Sequence, residues 1–420
     1  MVHARGESAL LQSGSLQHLT PEATLAPVLS ALNAVLGSTR PVALHQPHFA
    51  GREWEYVKDC LDTGWVSSVG AYVTRLETDL QNYTGIANAV AVVNGTAALH
   101  VCCLLAGVSA GDEVLLPTLT FVATANAVSY CGATPHMVDV SATTLGVDAG
   151  KLAAYLTEIA ELRGDTCYNR ITGQPIRALI VMHAFGHPVE LDALAEVCQR
   201  YRIALIEDAA EALGSFYHGK HVGHWGILSA ISFNGNKIVT TGGGGAILTN
   251  DAELARRARH LTTTAKQAHP WAFIHDQVAY NYRLPNLNAA VGCAQLEQLP
   301  DFVSRKRELA TRYQQTFNAV EIGRIVREPH DTCSNYWLNL LQLHDGHGHL
   351  RDTLLETCQT QGILVRPAWE LMHRLPMYQH CPRMDLSRAE HLERHLICLP
   401  SSVELGSVEL GNIETGSPHV

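Results

Sequence analysis

Short apolar segments alternate with helical patterns between residues 89 and 249, and this alternation most constrains the fold. The apolar segments Ala89–Val93, Ala178–Met182 and Ile203–Glu207 are too short for typical helices and suit buried strands. Strands that alternate with helices form a mostly parallel sheet with helices on both faces. The sequence therefore predicts an α/β fold.

Composition and charge narrow the class of protein. The 420 residues are 46% hydrophobic and 17% charged, which is typical of a globular chain long enough for two lobes and a large core. A net charge of −10 argues against a nucleic-acid surface, and no apolar run approaches the ~20 residues that span a bilayer. The N-terminus lacks a signal-peptide pattern. We therefore predict a cytoplasmic protein without nucleic-acid or membrane partners.

Cysteines and histidines are the residues that would indicate a metal site. The eleven cysteines lack C-x-x-C spacing, which predicts free thiols. His344, His347 and His349 cluster in the segment HDGHGH, between a strand-like and a helix-like segment where a solvated loop is expected. Because a metal needs several donors that converge on one point, we predict no metal site there.

The stretch Ile203–Gly245 places an acid and a lysine after two apolar runs. Asp208 follows the run Ile203–Glu207, and Lys237 follows Ile227–Phe233. Ligands gather at the carboxyl ends of parallel strands, so both side chains are expected to face one crevice. Pyridoxal phosphate (PLP) needs a lysine amine that bonds to its aldehyde and a carboxylate that keeps its ring nitrogen protonated. The pair predicts a PLP site.

Two glycine-containing segments bear on phosphate binding. Gly242–Gly245 lack the full G-x4-G-K-S/T pattern, so a nucleotide triphosphatase is rejected. Asn94, Gly95 and Thr96 precede a helical pattern, and a helix N-terminus offers N–H groups and a favourable dipole to a phosphate. Taken alone, Thr96 is better interpreted as an N-cap. The residues alone therefore do not establish a phosphate site here.

The order Asp208, Ser232, Lys237, together with SFNGNK and TTGGGG, resembles the DegT/DnrJ/StrS family of nucleotide-sugar aminotransferases. The resemblance covers roughly Pro41–Ser402. It implies the PLP-dependent fold type I (aspartate aminotransferase-like), with a large domain around a mostly parallel sheet and a smaller α+β C-terminal domain. It also implies that the lysine carries PLP, that the aspartate pairs with the ring nitrogen and that the serine binds the phosphate.

The resemblance implies further cofactor contacts. The family's phosphate-binding helix start, usually Ser-Gly-Thr, reads Asn-Gly-Thr here and is matched by Gly95, Thr96 and Ala97. Phe121 falls where the family stacks an aromatic ring on the cofactor. Glu211 stands where many members have a glutamine at the cofactor's phenolic oxygen. A carboxylate there would repel a phenolate unless one of the two carried a proton.

Substrate contacts and a subunit interface are implied in the same way. The implied substrate contacts are His183, Arg283, Trp369, His373 and Tyr378. Asn281 stands where the family's asparagine reaches the phosphate of the neighbouring subunit's cofactor, which implies a homodimer with shared active sites and isologous contacts. Without the resemblance, the segment that contains Asn281 could also be a surface turn before a long helix.

The chain is predicted to have three parts. Residues 1–44 form an N-terminal helical extension with a helix over Pro21–Leu36, whose apolar residues recur at helical spacing. Residues 45–290 form the PLP-binding large domain, and residues 291–420 form the small C-terminal domain. A long helix over about Ala290–Tyr313 leads from one domain into the other.

The chemistry implied by the resemblance is transamination with glutamate as the amino donor. Residues 45–70 and SFNGNKIVTTGGGG resemble the branch that aminates C4 of nucleotide-linked 4-keto-6-deoxy sugars, notably N-acetylated ones on the route to legionaminic or related acids. Such a product would feed a surface glycan. A 3-keto-sugar aminotransferase would share all these motifs and stays open.

Other activities are distinguished by single residues. A PLP-dependent sugar dehydratase of the family carries histidine in place of Lys237. A degenerate PLP-fold binding or regulatory protein would lose Asp208, Ser232 or Lys237, and all three are present. A generic amino-acid aminotransferase would need an arginine clamp for a second carboxylate, which the sequence does not decide.

Overall fold

The structure, a computed structural model, describes residues 20–407. The helices in this range are α1 (Pro21–Leu36), α2 (Glu53–Thr63), α3 (Ala71–Thr84), α4 (Gly95–Leu105), α5 (Val122–Tyr130), α6 (Ala149–Ile159), α7 (Leu191–Tyr201), α8 (Ala252–Thr262), α9 (Asn286–Phe317), α10 (Arg351–Thr360) and α11 (Ser387–His395). The first nineteen residues of the predicted N-terminal extension lie outside the described residues.

The strands in this range form three sheets. They are β1 (Asn88–Val92), β2 (Glu113–Pro117), β3 (Thr134–Val138), β4 (Ala160–Arg163), β5 (Thr166–Asn169), β6 (Pro175–Met182), β7 (Ala204–Asp208), β8 (Phe216–Tyr217), β9 (Lys220–His221), β10 (Leu228–Ser232), β11 (Gly245–Thr249), β12 (Gly323–Ile325), β13 (Thr332–Cys333), β14 (Asn339–Leu343), β15 (Arg366–Pro367) and β16 (Leu396–Leu399).

The large lobe is built on a sheet with the strand order β1-β11-β10-β7-β6-β2-β3. The five strands from β10 to β3 along this order are parallel to one another, whereas β11 runs antiparallel to both of its neighbours. The hairpin β4–β5 pairs with the start of β6. The mostly parallel sheet with flanking helices confirms the predicted α/β fold.

Both faces of this sheet are buried. Leu179 and Val181 of β6 point into one hydrophobic core, and Ala178 and Ile180 between them point into a second core on the other face. Successive side chains of a strand alternate between faces, so a strand that is covered on both sides must be apolar throughout. This requirement explains the continuous apolar runs in the sequence.

Helix α9 connects the two lobes. Its first half carries Cys293 and Phe302 into a large-lobe core, and its second half carries Leu309 and Tyr313 into the core of the small lobe. The small lobe contains the antiparallel sheet β12-β14-β16-β15. The predicted domain boundary after residue 290 therefore falls inside the first turns of α9.

Helix α1 has the predicted bounds and packs onto the small lobe. Leu25, Val28 and Leu32 are buried in the same core as Leu341 of β14 and Leu354 of α10. Thr20 caps the helix, because its Oγ1 accepts a hydrogen bond from the N–H of residue 23 at 3.3 Å. Among residues 20–407, none of the helices combines the length and apolar character needed to cross a membrane.

Candidate active site

The carboxyl ends of β7 and β10 border a cavity of about 520 Å³ between the two lobes. This arrangement follows from the parallel sheet, since both strands end on the same edge. The residues that contribute polar groups to its wall are His45, Asn94, Thr96, Asp208, Glu211, Ser232, Asn234, Asn236, Lys237, Trp337, Arg366 and Trp369. The predicted pair of acid and lysine therefore does face one crevice.

Lys237 lies in the loop that follows β10, and its amine is held by two neighbours. Nζ donates a hydrogen bond to Oε1 of Glu211 at 3.0 Å and lies 4.0 Å from the ring centroid of Trp337. The side chain is only 12% exposed. A carboxylate and an aromatic face together stabilise an ammonium group in a site largely screened from water.

Glu211 is buried, and its carboxylate bridges two parts of the site. Oε1 accepts from Lys237, and Oε2 accepts the backbone N–H of Phe185 at 2.8 Å. Phe185 has a φ of 59°, the left-handed region that side chains rarely adopt, and this conformation accompanies its contact with the carboxylate. Burial raises the pKa of Glu211 to about 7, so the group carries a proton part of the time at neutral pH.

Asp208 ends β7 and is buried at the base of the cavity. Its Oδ2 accepts the hydroxyl of Thr124 at 2.7 Å, and its Oδ1 accepts the N–H of Ala210 at 3.2 Å. Burial raises the pKa of Asp208, although these hydrogen bonds and the charge of Lys237 oppose the rise. A cationic N–H placed against this carboxylate would favour its ionised form.

The N-terminus of α4 lies against the end of β10. The approach depends on Gly95, because a Cβ on that residue would lie 2.9 Å from Cβ of Ser232. Asn94 is the N-cap, and its Oδ1 accepts the N–H of Ala97 at 2.7 Å. Helix dipole, backbone N–H groups and the hydroxyls of Thr96 and Ser232 thus meet at one corner of the cavity. Such a corner suits a phosphate dianion.

Comparison with known proteins gives the family. The model of the DegT/DnrJ/EryC1/StrS aminotransferase family matches residues 47–414. The chain belongs to this family. It is 37% identical over 343 residues to the GDP-perosamine synthase of Escherichia coli O157:H7, covering 80% of this chain and 87% of that protein. It is 36% identical over 352 residues to the GDP-perosamine synthase of Caulobacter vibrioides, covering 83% and 90%.

A solved structure extends the comparison to the whole fold. The crystal structure of S. venezuelae DesV in complex with a ketimine intermediate superimposes with a TM-score of 0.74 at 28% identity, covering 84% of this chain and 90% of DesV. The chain is thus a PLP-dependent aminotransferase, as the sequence predicted. Its cavity fits the cofactor, since it offers an amine, a buried carboxylate and a phosphate corner within one enclosure.

Most predicted cofactor residues of this aminotransferase are brought together. The cavity wall includes Gly95, Thr96, Phe121, Asp208, Glu211, Ser232 and Lys237, together with the predicted substrate residue Trp369. Phe121 and Trp369 lie with ring centroids 6.5 Å apart, and Trp369 also stacks on Phe185 at 4.5 Å. Ala97 is adjacent to this wall but not part of it, and the cap occupies its N–H. The roles of the individual residues remain predictions.

Five other predicted residues lie outside the cavity wall. His183 is fully buried, with Nε2 at 3.1 Å from Oε2 of Glu207 and Nδ1 accepting the N–H of Val189 at 3.3 Å. Both ring nitrogens are therefore occupied within the fold. His183 does not line the cavity, and its predicted contact with substrate stays a prediction.

The C-terminal pair of predicted substrate residues is also engaged elsewhere. His373 lies with Nδ1 at 2.8 Å from the hydroxyl of Thr118 and Nε2 at 3.2 Å from Glu390. The hydroxyl of Tyr378 donates to Oδ1 of Asn126 at 2.5 Å. The contacts with Thr118 and Asn126 join the segment after β15 to the large lobe, and the substrate roles of His373 and Tyr378 stay predictions.

Asn281 and Arg283 lie on the surface segment before α9. The Nε of Arg283 donates to Oδ1 of Asn281 at 2.9 Å, and Asn281 is exposed. Neither residue lines the cavity of its own chain. This placement is compatible with the predicted reach of Asn281 into a neighbouring subunit, which a single chain does not test.

Two wall residues that the sequence did not predict as site residues are Trp337 and His45. Trp337 holds the loop before Lys237, because its Nε1 donates to the carbonyl of Asn236 at 2.7 Å. His45 comes from the segment before α2, and both of its ring nitrogens are buried without a hydrogen-bond partner among residues 20–407. Burial, followed by the charges of Lys306 and Lys237, lowers the pKa of His45 well below its usual value. No spacing in the sequence connects these residues with Lys237.

Proposed function

We propose that this enzyme transfers the amino group of glutamate to a nucleotide-linked 4-keto-6-deoxy hexose that carries an N-acetyl group, for a surface glycan. The observation that carries the proposal is the amine of Lys237, held 3.0 Å from Glu211 in the same cavity as the buried carboxylate of Asp208. The names of the two relatives support the class of substrate, because both proteins are called synthases of a GDP-linked amino sugar.

The residues of the chain have distinct parts in this reaction. When bound, PLP supplies the electron sink that accepts the electrons of the broken C–H bond. Lys237 removes a proton from the α-carbon of the donor and returns a proton at the neighbouring carbon, acting first as base and then as acid. Asp208, fixed by Thr124 and the N–H of Ala210, holds the positive charge of the ring nitrogen.

Protonation of Glu211 would remove the repulsion between its carboxylate and the cofactor's phenolate. Because burial raises its pKa to about 7, the group can hold a proton and donate it toward the cofactor's phenolic oxygen. The same carboxyl orients the amine of Lys237 between its two proton transfers. A buried acid therefore does at this position what the family's usual glutamine does with its amide.

The small-lobe side of the cavity supports a substrate larger than an amino acid. Arg366, which is exposed at the rim, provides a guanidinium group suited to the phosphates of a nucleotide sugar. The stacked pair Phe185 and Trp369 presents an aromatic surface beside it. These groups line the same cavity as Asp208 and Lys237, so one substrate can contact them and the reacting groups together.

We also propose that the active form is a homodimer with shared active sites. Asn281 lies outside the cavity of its own chain. Trp54 of α2 is 77% exposed, and Trp65, which follows the end of this helix, is 58% exposed. Large apolar side chains exposed together on one face are typical of subunit interfaces. A second copy of the chain is the partner that the family resemblance implies.

A spectroscopic experiment tests the transamination. The purified protein is saturated with PLP, and its visible spectrum is recorded before and after glutamate, and then after UDP- and GDP-linked 4-keto-6-deoxy sugars. We expect glutamate to convert the cofactor to its amino form and one sugar to restore the starting spectrum. Lys237→Ala should abolish both changes, whereas Lys220→Ala, which replaces an exposed lysine, should alter neither.

The product decides the finer points of the proposal. Magnetic resonance of the aminated sugar shows whether nitrogen enters at C4, as proposed, or at C3. Turnover with keto acids but with no keto-sugar would identify an amino-acid aminotransferase instead. An unchanged spectrum of the wild-type protein at saturating PLP would refute catalysis altogether.

A further inference from the structure

Two histidines of α11 and an aspartate of a small-lobe loop meet at a place remote from the active-site cavity. His391 and His395 are four residues apart, so they project from the same face of the helix. Asp345 belongs to the loop between β14 and α10. The potential ligand atoms of the three residues all lie within 4.8 Å of one another, and Nε2 of His391 is 3.2 Å from Oδ1 of Asp345.

The hydrogen bonding of His395 prepares it as a metal ligand. Its Nδ1 lies 2.6 Å from the backbone carbonyl oxygen of His391, which can only accept, so Nδ1 carries the proton. The lone pair of His395 is therefore on Nε2. A backbone carbonyl that fixes the tautomer in this way is a common feature of histidines that bind metals.

The surroundings of the His395 ring hold it without blocking this lone pair. One face stacks on the ring of His391, with centroids 4.2 Å apart and planes inclined by 20°. Gly348 packs on His395 too, since a Cβ there would lie 2.7 Å from Nε2, 3.0 Å from Cε1 and 3.1 Å from Cδ2. These nearly equal distances place the Cβ position over the ring face, whereas the lone pair lies in the ring plane.

The charge state of the cluster favours a cation. The carboxylate of Asp345 supplies negative charge at the open side, where it is 89% exposed. His347 of the same loop has a buried Nδ1 without a hydrogen-bond partner among residues 20–407.

We propose that Asp345, His391 and His395 bind a divalent transition-metal ion, with Zn²⁺ as the preferred ion and water in the remaining position. Two imidazoles and one carboxylate are donors that suit Zn²⁺, Co²⁺ or Ni²⁺ rather than Mg²⁺ or Ca²⁺. Bonds of about 2.0–2.1 Å require the donor atoms to close by roughly 1 Å, which side-chain rotation allows. The bound ion ties the histidine-rich loop to α11.

The site was not visible in the sequence because its donors are far apart along the chain. The segment HDGHGH contributes the carboxylate of Asp345, and the two imidazoles come from a helix more than forty residues later. The three loop histidines that drew attention to the segment are not members of the donor triad. Only the packing of α11 beside the loop brings the triad together.

Metal titration of the full-length, untagged enzyme tests the proposal. The PLP-loaded protein is treated with a chelator, freed of excess PLP by gel filtration, and titrated with Zn²⁺ by calorimetry and with Co²⁺ by visible absorption. We expect one saturable site, with a tetrahedral Co²⁺ band and a rise in Tm on addition of Zn²⁺. The double variant His391→Ala/His395→Ala should bind Zn²⁺ at least tenfold more weakly and show no Tm rise.

A neighbouring histidine supplies the matched control. His349 is exposed in the same loop and outside the triad, so His349→Ala should bind both metals as the wild type does. Equal binding by the double variant and the wild type, or no saturable binding by the wild type, would overturn the proposal. All variants should retain the PLP spectrum, so a loss of metal binding is distinguishable from a failure of transamination.

Discussion

Glu211 is the residue whose protonation most affects the active-site cavity. Burial raises its pKa to about 7, whereas the unfolded chain has the usual value near 4.5. The folded state therefore retains a proton that the unfolded state releases, so the contribution of this group to stability is complete below about pH 4.5 and is lost as the pH rises through 7.

This sign gives a prediction for Glu211→Gln in the PLP-free enzyme. Relative to the wild type, the variant should gain unfolding free energy between pH 5 and pH 8, by on the order of 2–3 kcal/mol in total. Urea denaturation of both proteins at several pH values measures the difference in their unfolding free energies. The contributions of titrating groups that both proteins share cancel in this difference. A difference that stays constant across this range would contradict the raised pKa.

His45 allows binding and stability to be separated at one position. A buried polar group without a partner destabilises a fold, so His45→Phe should leave the unfolding free energy unchanged or raise it. If the ring binds the keto-sugar, the same variant should raise KM for that substrate about tenfold, the effect of one lost hydrogen bond. The glutamate half-reaction should be unaffected. Lower stability with an unchanged KM would show that the role is structural.

At the scale of elements, the contact between the start of α4 and the end of β10 depends on one missing side chain. Gly95→Ala would place a Cβ 2.9 Å from Cβ of Ser232, so helix and strand must separate and the phosphate corner widens. We expect the affinity for PLP, measured by absorbance titration, to fall at least tenfold. Gly150→Ala is the matched control.

The control glycine occupies the first turn of another helix with room to spare. A Cβ on Gly150 would meet only Oδ1 of Asp148, at 3.5 Å, which is ordinary contact. The substitution should leave PLP affinity unchanged and raise helix stability by up to about 1 kcal/mol. Similar losses of PLP affinity in both variants would mean that the tight approach of Gly95 is unimportant.

The elements themselves were largely predictable, because periodicity reports burial. The apolar spacing of Pro21–Leu36 predicted α1, and the buried runs predicted β7 and β10, whose ends position Asp208 and Ser232. The direction of a side chain at a strand end is not periodic. His183 directly follows β6, yet its ring bonds to Glu207 and does not line the cavity.

Residues brought in by tertiary packing could not be predicted either. Trp337 is one hundred residues from Lys237, and His45 is farther still in the other direction. Their place in the cavity wall results from the docking of the small lobe on the large one, which local patterns do not encode. The part of the site that lies on the parallel sheet can therefore be predicted from sequence, whereas the part that depends on packing between the lobes cannot.

At the scale of the whole molecule, the apolar face of α2 predicts association. Trp54 and Leu61 of this helix are each more than half exposed, as is Trp65 just after its end. Trp54→Glu should convert the dimer to a monomer in sedimentation equilibrium and reduce activity, because a charge in an apolar interface is costly. Ile171→Glu is the control, since Ile171 is 78% exposed in a large-lobe loop and its change should leave the dimer intact.

Shared active sites require a stronger test than association, and mixed subunits provide it. Lys237→Ala and Asn281→Ala should each inactivate or strongly impair the enzyme when alone. An equal mixture of the two variants is unfolded and refolded, so that hybrid dimers form. If Asn281 acts in the partner's cavity, one of the two sites in each hybrid then has both Lys237 and Asn281. Random pairing then restores about a quarter of the sites. If Asn281 instead acted in its own subunit, no subunit of a hybrid would carry both residues, and the mixture would stay as inactive as its components. We expect the shared arrangement because Asn281 is exposed and lies outside the cavity of its own chain.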